Sequence, residues 1–304
     1  MRPLLRAVLV VLAVTVAGVT VPSVADRSDS AARSTATPTV TPEPTPTSSK
    51  ASKPSPSKAP RPGARPSKTP TSKTAPTRTA QAQPLRSLTI AIDPGHQLGN
   101  HRFPRETSAL VPAGGFQKPC NTTGTATDSG VAEATVTFRL ARAVEQRLEA
   151  LGATVRLTRS SNSEDQWGPC VNTRGQFGAS VGAELMVSLH ADGSSASNRG
   201  FHVISPTRRS PWTADIADSS LRLARSLRDA LTAFGLPPSN YTGAGTGLNV
   251  RDDLGTLNLS DVPVAMVEIG NMRNSGDANR MTSMSGRARQ ADALVRGIRT
   301  FLGR

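Results

Sequence analysis

The sequence predicts an α/β fold, a single domain with a mainly parallel twisted sheet and helices on both faces, preceded by a disordered Pro/Ser/Thr/Lys-rich tether. Three observations predict it. From Asp26 to Pro84 there is no aromatic residue, and the segment holds 12 of the 24 prolines, so it cannot bury a core. The following stretch of about 220 residues is long enough for one core-forming domain. Within it, short runs of aliphatic and β-branched residues alternate with longer segments of helical periodicity, the pattern of strands joined by crossover helices.

The first 25 residues carry Arg2 and Arg6, an apolar stretch from Ala7 to Val21, and Ser23-Val24-Ala25 before Asp26. This is the layout of a secretory signal peptide with a small-x-small cleavage site, and it predicts an exported protein. An uncleaved anchor is the alternative. Residues 26–85 then form the expected linker, with a net charge of +7 out of the chain's formal +14. Most of the basicity thus lies outside the domain expected at residues 86–304. A nucleic-acid partner is therefore excluded, and an anionic wall surface is the expected partner of the basic tether, which otherwise acts as a solvated spacer.

In the domain, strands are predicted at 88–92, 153–158, 184–189, 201–204 and 262–267, each a short apolar run bounded by turn-forming residues. Helices are predicted near 130–151, 170–181, 212–234 and 284–302. In the first of these, Val131, Ala134, Phe138, Ala141, Val144 and Leu148 recur at helical spacing, with Asp128 or Ser129 as the expected N-cap and Glu133 in the first turn. In the third, Asp218 with Arg222 and Arg225 with Asp229 are spaced for i,i+4 ion pairs, and Gly235 with Pro237-Pro238 ends the helix. The segment Tyr241–Gly247 holds too many glycines for regular structure and reads as a loop, over the site or elsewhere on the surface. The two cysteines, Cys120 and Cys170, fall in polar loops of an exported chain without any CxxC spacing, and a structural disulfide is expected.

Two of the four histidines end apolar runs: His96 follows Ile90-Ala91-Ile92-Asp93-Pro94-Gly95, and His190 follows Leu185-Met186-Val187-Ser188-Leu189. Imidazoles at the carboxyl ends of strands sit on the rim where α/β sheets build their sites. Glu133, which alone would only favour the helix dipole, is placed at the same end of the sheet. Two imidazoles and one carboxylate leave one tetrahedral position of a zinc ion open, the ligand count of a hydrolytic site. Glu268 closes the apolar run Val262–Val267; it either leaves the sheet edge for solvent or serves as the general base of that site. Of the other histidines, His202 is expected packed in its strand and His101 solvated. Arg251 is a candidate for binding substrate carboxylates, with a plain surface arginine as the alternative.

The set Asp93-Pro94-Gly95-His96, Glu133, Ser188-Leu189-His190-Ala191 and Val267-Glu268-Ile269-Gly270-Asn271 resembles the zinc-dependent N-acetylmuramoyl-L-alanine amidases of the amidase-3 type, from about Leu88 to Leu302. The resemblance implies one Zn2+ per chain on His96, Glu133 and His190, with Glu268 as the catalytic glutamate. It also implies that Asn274 and Asp277 hold the loop after the catalytic strand. The implied substrate is peptidoglycan, cut at the amide between N-acetylmuramic acid and the L-alanine of the stem peptide, in wall remodelling, daughter-cell separation or turnover, by a monomer. Two departures stand out, Gln97 where the family has a second glycine and Asn271 where it has an aromatic residue. The alternatives are a zinc carboxypeptidase or endopeptidase acting on peptidoglycan peptides, and a non-catalytic wall-binding domain.

Overall fold

The computed structural model describes residues 83–304. The expected signal peptide and all but the last residues of the expected tether lie outside this span. Leu85, the final residue of that tether by composition, is fully buried and donates its N–H to the Leu151 carbonyl, so the folded body starts slightly ahead of residue 86.

The main sheet has six strands: β1 (Thr89–Pro94), β4 (Thr154–Leu157), β5 (Leu185–Asp192), β6 (His202–Pro206), β7 (Leu248–Arg251) and β8 (Val264–Asn271), in the order β4-β1-β5-β8-β6-β7. β4, β1, β5 and β8 are parallel to one another, while β6 pairs antiparallel with β8 and parallel with β7. The reversal has a local cause. Only residues 193–201, rich in Ser, Gly and Asn, join β5 to β6, too short and too polar for the helical crossover that a parallel neighbour needs. β5 and β8 lie in the middle of the sheet, and their near-continuous apolar sequences reflect burial on both faces.

The helices α2 (Glu133–Ala150), α4 (Ala217–Ala233) and α7 (Met284–Phe301) pack together on one face of the sheet over Ile90, Ile92, Val187, Leu189, Val203 and Val267. The other face, with Ala91, Met186, Ile204 and Met266, is covered by α3 (Val171–Ser180) and the single turn α5 (Gly255–Asn258). Alternation along each strand thus separates the two cores, and the site grows from the α3 side at the carboxyl ends of β1, β5 and β8.

The long stretch 97–127, between β1 and α2, contains a 3-10 turn, a short helix α1 (Pro104–Ser108) and a hairpin of β2 (Leu110–Pro112) and β3 (Gln117–Pro119). A further helix α6 (Ser275–Thr282) follows β8. Two local expectations are corrected. The α2 N-cap is Ala132 and not Asp128 or Ser129; the Thr125 carbonyl accepts the Glu133 N–H, so backbone replaces a capping side chain. The predicted i,i+4 pairs of α4 also change partners, with Asp218 meeting Arg208 and Asp229 meeting its neighbour Arg228. Among the described residues, no helix is long and apolar enough to cross a membrane.

Candidate metal centre

The turn after β1 is the scaffold of the site. Two arginines buried beneath it bind its carbonyl oxygens. Arg174 of α3 donates to Pro94 O at 2.8 Å and to His96 O at 2.7 Å, and it forms an ion pair with Asp93 that is sealed from solvent. Arg159 donates to Pro94 O at 2.9 Å and Gly95 O at 3.2 Å, and also to Ala134 O of α2 at 2.7 Å. One guanidinium therefore ties the end of β1 to the first turn of α2, the two places from which His96 and Glu133 project. Burial alone would raise the Asp93 pKa; Arg174 and the hydroxyls of Ser188 and Thr158 outweigh it and leave the carboxyl below its ordinary value.

With its carbonyl so held, His96 adopts a positive φ of 57°, a conformation rarely taken by a non-glycine residue. Gly95 permits the close approach of the next strand. A Cβ at that position would lie 2.5 Å from His190 Cε1.

The ligand atoms of His96, Glu133 and His190 lie within 4.8 Å of one another. Glu133 Oε1 is 3.2 Å from His96 Nε2 and 3.0 Å from His190 Nδ1. The carboxylate is fixed from behind by two backbone amides, Ala191 N–H to Oε1 and Thr125 N–H to Oε2, each at 3.0 Å. His96 has Nδ1 3.0 Å from the Thr122 carbonyl, which leaves Nε2 facing Glu133. A ring nitrogen tied to a backbone carbonyl is the usual way a ligand imidazole is oriented. Burial opposes the charge on Glu133, but the two imidazoles outweigh it and hold the carboxyl well below its usual range. The reciprocal attraction raises His96 against its own burial. Two imidazoles around one pinned, ionised carboxylate form a donor set suited to zinc.

Glu268 stands opposite His190 in the β5–β8 ladder and opposite His202 in the β8–β6 ladder. Its Oε2 is sealed from solvent without a hydrogen-bond partner. Burial, followed by the negative charges of Glu133 and Asp192, pushes its pKa well above the ordinary carboxylate value, with Arg251 pulling weakly the other way. A cleft of about 210 Å³ opens over these groups; His96, His190 and Glu268 line it together with Lys118, Asn121 and Leu254.

Residues 90–300 match the family model described as N-acetylmuramoyl-L-alanine amidase, of the amidase-3 type. The chain belongs to this amidase family. The amidase is 40% identical over 227 residues to the N-acetylmuramoyl-L-alanine amidase Rv3717 of Mycobacterium tuberculosis, which covers 74% of this chain and 91% of that protein. Its fold is similar to the crystal structure of the N-acetylmuramyl-L-alanine amidase Ami1 from Mycobacterium smegmatis, with 38% identity and a TM-score of 0.67, over 72% of this chain and 98% of that one. The apo form of Ami1 from Mycobacterium abscessus gives 38% identity and a TM-score of 0.66, over 72% of this chain and all of the other.

The amidase thus brings together the four residues singled out in its sequence, and it bonds Cys120 to Cys170. Asn274 caps α6, and Asp277 accepts the N–H groups of Asn271 and Gly200, which fastens the chain after β8. Asn271 is itself fully buried and anchors residues 194–198 through their backbone. Gln97 similarly caps the 3-10 turn and binds the Ser163 N–H. The two departures from the family pattern are therefore fasteners of neighbouring loops. His101 is exposed and His202 buried, as their sequence settings suggested. Arg251 lies outside the cleft lining and is engaged by Asp253 through two hydrogen bonds of 2.8 and 2.7 Å.

Sequence reasoning passed over Arg159, Arg174 and Lys118. The arginines carried no signal, since Arg159 follows a strand among Thr158, Ser160, Ser161 and Asn162 and Arg174 sits in a helix beside Asn172, Thr173 and Gln176, settings ordinary for a surface arginine. Lys118 had only its position two residues before a bridged cysteine.

Proposed function

We propose that His96, Glu133 and His190 hold one Zn2+ and that Glu268 is the general base with which the amidase cleaves the bond between N-acetylmuramic acid and L-alanine in peptidoglycan. The observation that carries the reading is the pinned Glu133 carboxylate shared by two imidazoles, with Glu268 across the ladder from one of them. Zinc bound there would supply Lewis-acid polarisation of the scissile carbonyl and acidify water.

The chain's own groups do the rest. The Thr122 carbonyl, the Thr125 and Ala191 amides and the Arg174 guanidinium keep the ligands in place without further reorganisation. Glu268 takes a proton from the attacking water on its unpartnered Oε2 and passes it to the leaving nitrogen of L-alanine. The raised proton affinity of Glu268 suits both steps, since a base that is too acidic would hold the proton too weakly to deliver it. We further propose that residues 1–25 direct export, that the basic segment to residue 85 rests on the anionic wall, and that the enzyme acts as a monomer. Arg251, by engaging Asp253, serves substrate binding indirectly.

Digestion of purified peptidoglycan tests the reading. Free stem peptides beginning with L-alanine, with lactyl groups left on the glycan, are the expected products. Cuts between amino acids would move the enzyme to the peptidase class. Glu268→Gln is expected to lose turnover while retaining zinc, and undiminished turnover in that variant would remove Glu268 from its role.

A further inference from the structure

The catalytic cleft has a cation that the proposed chemistry does not use. Among the cleft-lining residues only Lys118 and Arg174 carry lysine or arginine charge, and Arg174 is 2% exposed and committed to Asp93 and backbone carbonyls. Lys118 differs in both respects. Its side chain is 35% exposed, and Nζ has one close acceptor, the Asp253 carbonyl at 2.7 Å, with the Asp253 carboxylate 3.9 Å away.

That carboxylate is already taken. Arg251 binds it through Nε and Nη2, and this pairing is the first cause of its lowered pKa. Lys118, Arg251 and Asp253 together therefore present one net positive charge, and the donors of the ammonium not used by Asp253 are free for the cleft. The setting favours a fixed charge. Lys118 lies on β3, paired with β2, two residues before Cys120, whose bond to Cys170 fastens this wall to the start of α3. Pro119, Val171, Leu254 and Met266 give the cleft apolar walls, where a charge pair is less screened than in water.

We propose that Lys118 binds a carboxylate of the stem peptide just beyond L-alanine, making the amidase selective for a free acid over its amide at the second residue. This rests on the amide-hydrolase reading above. The substrate is then gripped at two points, by the metal centre at the scissile bond and by Lys118 through the peptide's acid group.

The test compares the γ-methylamides of N-acetylmuramoyl-L-alanyl-D-isoglutamate and N-acetylmuramoyl-L-alanyl-D-isoglutamine, in which the γ-carboxyl is blocked as it is in the stem peptide, so that the first has one free carboxylate at the second residue and the other has none. Wild-type kcat/KM is expected to favour the acid by about tenfold, the equivalent of one charge-assisted hydrogen bond, and to lose part of that preference in high salt. Lys118→Met is expected to abolish the preference by raising KM for the acid, with kcat little changed and the amide substrate unaffected. Lys118→Arg keeps it, and Lys118→Glu inverts it. Equal treatment of the two substrates by the wild type, or an equal loss on both in Lys118→Met, overturns the proposal. If the wild type cleaves neither substrate at the lactyl–alanine amide, the underlying reading fails and takes this one with it.

Discussion

Replacing Arg174 by methionine would separate what holds the fold from what holds the candidate metal centre. The guanidinium pairs with Asp93, which is fully buried, and donates to Pro94 O, His96 O, Gly168 O and Pro169 O. Removing one partner of such a pair leaves an uncompensated charge and costs about 3–5 kcal/mol. The Ser188 and Thr158 hydroxyls still serve Asp93, so the low end of that range is expected. The loss depends on pH. In the wild type the Asp93 pKa is depressed, so its contribution is present above the unfolded carboxyl pKa and lost as pH falls through the lower folded value. In Arg174→Met, burial dominates and the pKa rises, so acid relieves the variant while it weakens the wild type. Urea denaturation should therefore show a stability gap at pH 7 that narrows as pH falls, first through the raised Asp93 pKa of the variant, above about pH 4, and then below it as the wild type loses its own contribution. A second readout is zinc affinity. Without Arg174 the His96 carbonyl is unheld at its positive φ, and the loss of such a support typically weakens metal binding by about 10–100-fold. Adding Asp93→Asn to the variant is expected to restore part of the stability but none of the zinc affinity. Wild-type zinc affinity in Arg174→Met, or a gap that does not close in acid, would refute the reasoning.

Gly95→Ala is expected to weaken zinc binding in a competition titration, because its Cβ would sit 2.5–2.7 Å from three atoms of the His190 ring and displace it. His202 is buried with an unpartnered Nδ1, and burial lowers its pKa to about 4. Its folded pKa lies below the unfolded one, so stability is full above about pH 6.5 and falls by up to about 3 kcal/mol towards pH 4; His202→Gln should remove that component in denaturation at pH 7 and 4.5. The double variant Cys120→Ser, Cys170→Ser frees a loop closed over a separation of 50 residues, and the chain-entropy relation gives a loss of about 4 kcal/mol in the same assay.

The sequence was most informative where burial on both faces forced continuous apolar runs. β1, β5 and β8 were legible for that reason, and the helices α2, α4 and α7 from the helical spacing of their one buried face, and with them the positions of His96, Glu133, His190 and Glu268. The antiparallel turn of β6 was written in the short polar link 193–201, but the alternation of runs and helices masked it. β7, with four residues on the sheet edge, and the hairpin β2–β3, with three residues in each strand, are too short for periodicity to register. The Arg159 and Arg174 clamps were not legible, because each is defined by carbonyls that only the fold brings within reach. Arg251 shows the converse, a charged residue whose sequence setting did not reveal its pairing with the nearby Asp253.

The central claim is that one zinc ion is held by His96, Glu133 and His190. Anomalous diffraction at the zinc edge from zinc-loaded crystals tests it most directly. The account predicts one strong peak at roughly 2.0–2.2 Å from a nitrogen of each histidine and an oxygen of Glu133. A map with no peak between these three residues, or with its principal peak elsewhere, would contradict it.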